Sequence, residues 1–552
     1  MKSMLEQNFG YAGLPDNIQR STFNKPYRYK GTFDCDYLIP FFRQDYYPGD
    51  EFSVSATMYA RLITPIYPIM DDIMLETFYF EVPYRLLWEN WRYFFGEVKD
   101  PISNPTSPSD YVCPVMDTTS QFGFDTFFDH LGVPPNQTDI LVDAFYSRAY
   151  NLIWNEWFRD QDLQDSVNVD IDDGPDDPAD YPLQKINKVH DYFTSCRPWP
   201  QKFDEVLVPL GGYAPVIGDG TAIGLSDEYA GDPWSYGMQV GTVGGVSDFH
   251  AISQSFNVSL PATGTASGPS AGHANQVLGL SQDSTNSGVI ADLSNATAAS
   301  INDLREAFAL QRMQELMART GSRYTEQVFA LFRVKSPDAR QQRPVYLGGS
   351  KQYINVHENR TNTASNVDAN GDVDTMNISG YLDVVERNGF RAAFTEHGII
   401  LGLCAVRGSL SYQQGIPRWM TYQTRDEFYA PPLAHLGEQP VLNREIFADG
   451  SANDELVFGY QERWAERRSN HSVIAGQFRS DHATPLDAWH LAQDYATLPT
   501  LNSDFVESDL SDILTRVTAV PSQPDIMMDA YFRIKYTTQM PVHSVPGLLD
   551  HF

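Results

Sequence analysis

The chain has 552 residues, with 39 Lys and Arg against 71 Asp and Glu, a formal net charge of −32. A surface so acidic repels a phosphate backbone, so contact with nucleic acid needs a local basic lining or a separate basic partner. A hydrophobic content of 42% and an aromatic content of 13% exclude a disordered chain, and the length admits several cores or one core with large insertions. Cys35, Cys113, Cys196 and Cys404 lie far apart without paired spacing. That argues against a disulfide framework or a structural zinc site and fits folding in a reducing cytoplasm. No signal peptide is evident at the N-terminus, and the longest apolar run, near 399–406, is too short to span a bilayer.

Residues 1–30 are polar and irregular, and residues 1–50 are expected to form an N-terminal arm. Within it Lys25, Tyr27, Arg28, Tyr29 and Lys30 interleave charge with aromatic rings. This chemistry suits single-stranded nucleic acid; a solvated arm or a subunit contact is the alternative. The plan of the chain shows next. Phe52, Val54, Ala56, Met58, Ala60 and Leu62 alternate with Ser53, Ser55, Thr57, Tyr59 and Arg61, the two-residue period of a strand buried on one face. Pro65 and Pro68 break the ladder, and a second strand runs from Ile73 until Pro83. Such a pair belongs in an antiparallel sheet packed on another sheet.

Residues 84–95 predict a short helix with Leu87, Trp91 and Phe94 on one face, ended by Gly96. Residues 101–114 are loop. Residues 139–159 predict a longer helix whose inward stripe is Leu141, Phe145, Ala149, Leu152, Ile153 and Trp157, a core or subunit contact. Asp170, Asp172, Asp173, Asp176, Asp177 and Asp180 then crowd a loop with Gly174, Pro175 and Pro178. Either a solvated acidic turn or a calcium site fits them, without the ordered spacing of an EF-hand. Residues 210–300 are dominated by Gly, Ser, Thr and Ala, and no Lys or Arg occurs between Lys202 and Arg305. A loop so large and polar lies on the surface, with Trp234, Tyr236 and Phe249 among its anchors.

Ser300 is placed to cap a helix in which Ile301, Leu304, Phe308 and Leu316 face inward. Arg305, Arg312 and Arg319 recur every seventh position and share one side; with Arg323 they are candidates for pairing with carboxylates of neighbouring subunits, or for facing DNA. Asn370-Gly371 marks a hairpin tip, beside which Asp368, Asp372 and Asp374 are a weaker calcium candidate. Residues 399–412 and 526–536 are further strands. The last lies so near the C-terminus that its pairing must reach back to the early strands, as in a jelly roll.

No Gly-x-Ser-x-Gly elbow, His-Glu-x-x-His helix or phosphate-binding loop occurs. Gly218, Gly220 and Gly224 only approximate a dinucleotide fingerprint, and His397 beside Glu396 and His435 near Glu438 are isolated pairs. The chain is expected to be non-enzymatic, with no cofactor and no assigned metal.

Long ordered segments resemble the major capsid protein of the microviruses, small single-stranded DNA bacteriophages, and of their gokushovirus branch in particular. They include ARLITPIYPIMDDIMLETFYFEVPYRLLWENW (60–91), RAYNLIWNEWFRD (148–160), HDYFTSCRPWPQK (190–202), SPDARQQRPVYLGGS (336–350), VFGYQERWAE (457–466) and PVHSVPGLLDHF (541–552). The resemblance implies a mainly β fold: an eight-stranded antiparallel jelly roll with large helical and loop insertions. Residues 51–209 then hold its first part with a helical insertion, 210–300 a protrusion at the threefold axis, 301–540 a helical connection and the remaining strands, and 541–552 a C-terminal arm. It further implies assembly in the host cytoplasm of the simplest icosahedral shell around a circular single-stranded DNA genome. The implied partners are other copies of the chain, a small basic DNA-binding protein, an internal scaffolding protein, a DNA pilot protein and a host surface receptor, with no membrane; Trp234, Tyr236 and Phe249 are candidates for receptor contact. The competing class is a secreted β-sandwich that binds or cleaves carbohydrate.

Overall fold

The computed structural model describes residues 19–97, 111–117, 122–206, 301–360 and 378–543, and only five short strand segments between 207 and 300. The two main sheets of the described residues contain nine strands: β1 (Ser21–Phe33), β2 (Ile39–Tyr46), β3 (Glu51–Leu62), β4 (Ile73–Pro83), β5 (Val345–Tyr353), β6 (Asn355–Arg360), β7 (Ile378–Ala393), β8 (Gly398–Gly408) and β9 (Ile526–Thr538). One sheet has the order β1-β9-β3-β7-β6 and the other β5-β4-β8-β2. Every neighbouring pair is antiparallel. The chain alternates between the sheets from β1 to β4, and its last strand lies between its first and its third. This is a jelly roll, with β6 as an added edge strand.

The alternation in β3 is realised residue by residue: Phe52, Ala56, Met58, Ala60 and Leu62 are fully buried, and Ser55 and Tyr59 are exposed. β9 repeats the pattern, with Phe532 meeting Phe42 at a ring distance of 4.9 Å across the sandwich. Gly389 in β7 allows β3 to approach closely, since a Cβ there would lie 2.0 Å from the carbonyl oxygen of Val54. β4 and β8 are instead buried on both faces. Their sheet is the middle layer: one face closes the sandwich core, and the other packs under a second core built on Trp88, Phe127, Phe145, Tyr150 and Ile153. That explains why residues 399–406 are continuously apolar rather than alternating.

Several local expectations are corrected. Residues 1–50 are not an arm throughout, because β1 and β2 belong to the two sheets. The predicted helix over 84–95 is a 3-10 turn, Tyr84–Leu86, and a single α turn, Trp91–Phe94, with Leu87 and Trp88 fully buried at the break. Gly96, at φ +94°, follows that turn. The second helix, α1 (Phe145–Ile153), starts later than its apolar stripe suggests. Asp143 accepts the Phe145 amide at 3.1 Å, which fixes the start and leaves Leu141 outside, 74% exposed. A π-helical turn, Trp154–Phe158, continues it.

The helix α2 (Ile301–Arg319) forms where predicted, but Ile301, Leu304 and Phe308 do not face inward; among its residues only Ala318 is fully buried. A shorter helix, α3 (Tyr324–Phe332), follows. β6 and β7 pair as far as Arg360 and Ile378, while Asn370-Gly371 and the neighbouring aspartates lie outside the described residues. Two compact units are distinguishable: Met1–Asp204 with Arg312–Phe552, and Glu205–Gln311. In the second, Gly224–Ser226 pairs with Tyr236–Gly237 and Gly279–Leu280, and Val216–Gly218 with Val289–Ala291.

Candidate functional site: charged and aromatic surfaces

The basic–aromatic stretch of the N-terminal region is a strand, and the two-residue period divides it. Tyr27 turns into the sandwich, stacked on Phe532 at 5.4 Å, and Tyr29 is buried with its hydroxyl 2.9 Å from Nδ1 of His130. Burial pushes the Tyr29 phenol far above its ordinary range. The opposite face of β1 carries Arg28 and Lys30 to the exterior. Arg28 lies over the Tyr531 ring at 5.6 Å and 3.5 Å from Asp529. Lys25, at the sheet edge, lies over Tyr536 at 4.8 Å. The five residues therefore do not form one stacking surface: the tyrosine rings are core, and the cations remain outside. Phe23, Tyr27, Tyr29 and Phe33 all fall on odd positions, which was the visible sign of this division.

The arginines of α2 divide likewise. Arg319 pairs with Glu438 and, at 3.5 Å, with Glu462. Arg323 donates to the carbonyl oxygens of Asn155 at 3.1 Å and Arg159 at 2.6 Å. Both thus bond within the chain rather than waiting for a neighbouring subunit. Arg305 and Arg312 are exposed. Trp234 and Phe249 lie outside the described residues, and Tyr236 is described only as part of its two-residue strand.

The described chain also presents large apolar side chains to solvent: Phe308 and Phe332 on the helices, and Trp419, Met420 and Phe428 in the loop after β8. Matches to known proteins show what family carries this jelly roll. The model of the capsid protein (F protein) family matches residues 12–548. The chain belongs to this capsid protein family. It is similar to the capsid protein VP1 of Bdellovibrio phage phiMH2K, 38% identical over 98% of each chain. Comparable likeness holds to VP1 of Chlamydia phage 1, 38% identical over 96% of each chain. VP1 of Spiroplasma virus 4 is 34% identical over 97% of this chain and 96% of that one. The capsid protein is a component of the virion, and no described helix is long and apolar enough to cross a membrane.

The acidic loop of the capsid protein is solvated at Asp172, Asp173, Asp177 and Asp180, while Asp176 alone among its aspartates is buried. The buried guanidinium of Arg148 is its centre. Nε and Nη2 grip Asp176 at 2.8 and 2.6 Å, Nη2 also reaches Asp172 at 3.2 Å, and Nη1 donates to the carbonyl oxygens of Leu87 and Asp172. The Tyr181 hydroxyl donates to Asp176 at 2.6 Å, and the Trp88 indole to Asp173 at 2.7 Å. A cation does organise Asp172 and Asp176, and it is an arginine from α1. The two His–Glu pairs also separate. Glu396 bonds to Arg85 at 2.5 Å while His397 packs against Phe95 at 4.3 Å, and Glu438 is held by Arg319.

Proposed function

We propose that the chain is the shell-forming subunit of a T=1 icosahedral particle that encloses a circular single-stranded DNA genome. The observation that carries this reading is a complete jelly roll, closed by its own first and last strands, in a chain alike over nearly its whole length to phage capsid proteins. The exposed apolar side chains support it: Phe308, Phe332, Trp419 and Phe428, each more than half exposed, are surface that neighbouring copies would cover. Residues 210–300 form the surface protrusion and contact the bacterial receptor, with Trp234, Tyr236 and Phe249 as contact candidates. Arg305 and Arg312 are proposed to pair with carboxylates of neighbouring copies. A small basic protein, an internal scaffolding protein and a DNA pilot protein complete the particle, the first offsetting the net charge of −32 carried by every copy. The role is structural rather than enzymatic.

Sedimentation and electron microscopy of the purified chain with its internal partner proteins test the shell. Closed particles are expected, and a population that remains monomeric overturns the reading. Particles lacking residues 210–300 are expected to assemble but to lose adsorption to the host; undiminished adsorption refutes the attachment role.

A further inference from the structure

The two sheets of the sandwich differ in what lies on their outer faces. The four-stranded sheet is covered by the second core, whereas the outer face of the five-stranded sheet is open in the described chain. The register shows what that open face carries. Arg28 of β1 stands opposite Tyr531 of β9, Tyr531 opposite Thr57 of β3, and Thr57 opposite Arg387 of β7. In a parallel row Lys535 stands opposite Ser53, and Ser53 opposite Arg391; Arg533 opposite Ser55 lies between the two rows. Lys30 and Arg61 complete the set, so seven cations share one face with three carboxylates, Glu51, Asp383 and Asp529. On a chain with 71 acidic residues, this local excess is against the composition.

We propose that this face binds single-stranded nucleic acid without regard to sequence; the inference rests on the reading of the chain as the shell of a single-stranded DNA particle. Three features fit that occupant. Cations two positions apart along a strand stand about 6.6–6.8 Å apart, a spacing that suits the phosphates of an extended nucleotide chain. Aromatic rings lie among the cations. Arg28 and Arg533 flank the Tyr531 ring at 5.6 and 5.8 Å, and Tyr59, 42% exposed, borders a shallow depression of about 570 Å³ with Lys30, Arg61, Met527 and a single carboxylate, Asp529. A base seated there stacks on Tyr59 while its phosphates meet Lys30 and Arg61. The rest of the face is level and rich in hydroxyls from Ser53, Ser55 and Thr57. The exposed apolar side chains of the face, Tyr59, Val385 and Met527, stand among Lys30, Arg61 and Arg387 rather than in the charge-depleted centre of a protein interface.

The test is fluorescence anisotropy of a labelled oligothymidylate of roughly thirty nucleotides with the purified full chain at low salt. Replacing three cations together (Arg387→Gln, Arg533→Gln, Lys535→Gln) is expected to weaken binding at least about tenfold and to lower the salt slope by about two. A charge-matched variant elsewhere (Arg425→Gln, Arg467→Gln, Arg468→Gln) is expected to change affinity by less than about twofold. Equal affinity of the sheet variant and the parent, or equal loss in both variants, overturns the inference. Should the sheet variant misfold, photocrosslinking of the unaltered chain to an oligonucleotide carrying 5-iododeoxyuridine decides the matter. Adducts are expected on Tyr59 or Tyr531, and adducts confined to other segments overturn the inference. A sheet variant that keeps its DNA affinity but no longer assembles assigns the face to a subunit contact instead. Shells that form normally from a variant with undiminished DNA capture leave the capsid reading standing and remove only this inference.

Discussion

Arg148 is fully buried, and all five of its N–H groups have oxygen partners, two of them on the carboxylate of Asp176. Breaking such a pair leaves a charge without compensation in the interior. Arg148→Met is expected to cost the subunit about 3–5 kcal/mol in urea unfolding, and adding Asp176→Leu is expected to recover part of that loss. Glu386 is the opposite case. It is 3% exposed on the inner side of β7, receives one bond of 3.2 Å from Asn388, and burial raises its pKa to about 7. The folded chain therefore keeps a proton that the unfolded chain releases near the ordinary glutamate value of 4.5. Stability is expected to fall as pH rises from the unfolded to the folded value, by on the order of 3 kcal/mol in total. Thermal melts of the disassembled subunit between about pH 5 and 8 check this. Glu386→Gln is expected to flatten the dependence and to melt higher than the parent at the alkaline end.

At the scale of elements, β1 gives β9 its outer neighbour through thirteen residue pairs, from Ser21 with Thr538 to Phe33 with Ile526. A chain starting after Phe33 leaves β9 with an open edge and removes Tyr29 and Phe33 from the core. Such a chain is expected to accumulate as aggregate rather than as folded subunit, read from the soluble fraction and from size-exclusion chromatography. How legible the elements were follows from how local their causes are. β3 and β9 were plain because alternation is written in adjacent residues. β1 is obscured because Lys25, Arg28 and Lys30 load it with charge, although Phe23, Tyr27, Tyr29 and Phe33 share its odd positions. The apolar stripe of α2 does not reveal in the sequence what covers it, because a periodic face looks the same whether its cover comes from the same chain or from another copy. The Arg148 clamp was hidden for a different reason: it joins α1 to a loop more than twenty residues on, and local spacing does not announce a partner at that distance.

For the whole molecule the decisive quantity is the charge of −32 and where it is absent. Repulsion among many acidic copies is screened by salt, with a Debye length of about 10 Å at 0.1 M. The attraction of a basic sheet face for phosphates is weakened by the same salt. The two processes are therefore expected to respond in opposite directions. Raising salt from about 0.05 to 0.3 M should increase the yield of empty shells in sedimentation and decrease the DNA retained by the subunit. A parallel response of both would mean that one surface governs both.

The position of β9 has a consequence for how the protein is made. β3 sits between β9 and β7, so a nascent chain displays one bare side of β3 until β9 has left the ribosome. A prematurely terminated product lacks the middle of its own wall and retains sticky margins that invite disposal. Only a polypeptide that includes β9 can close this sheet, so shorter products are expected to be left out of any assembled shell.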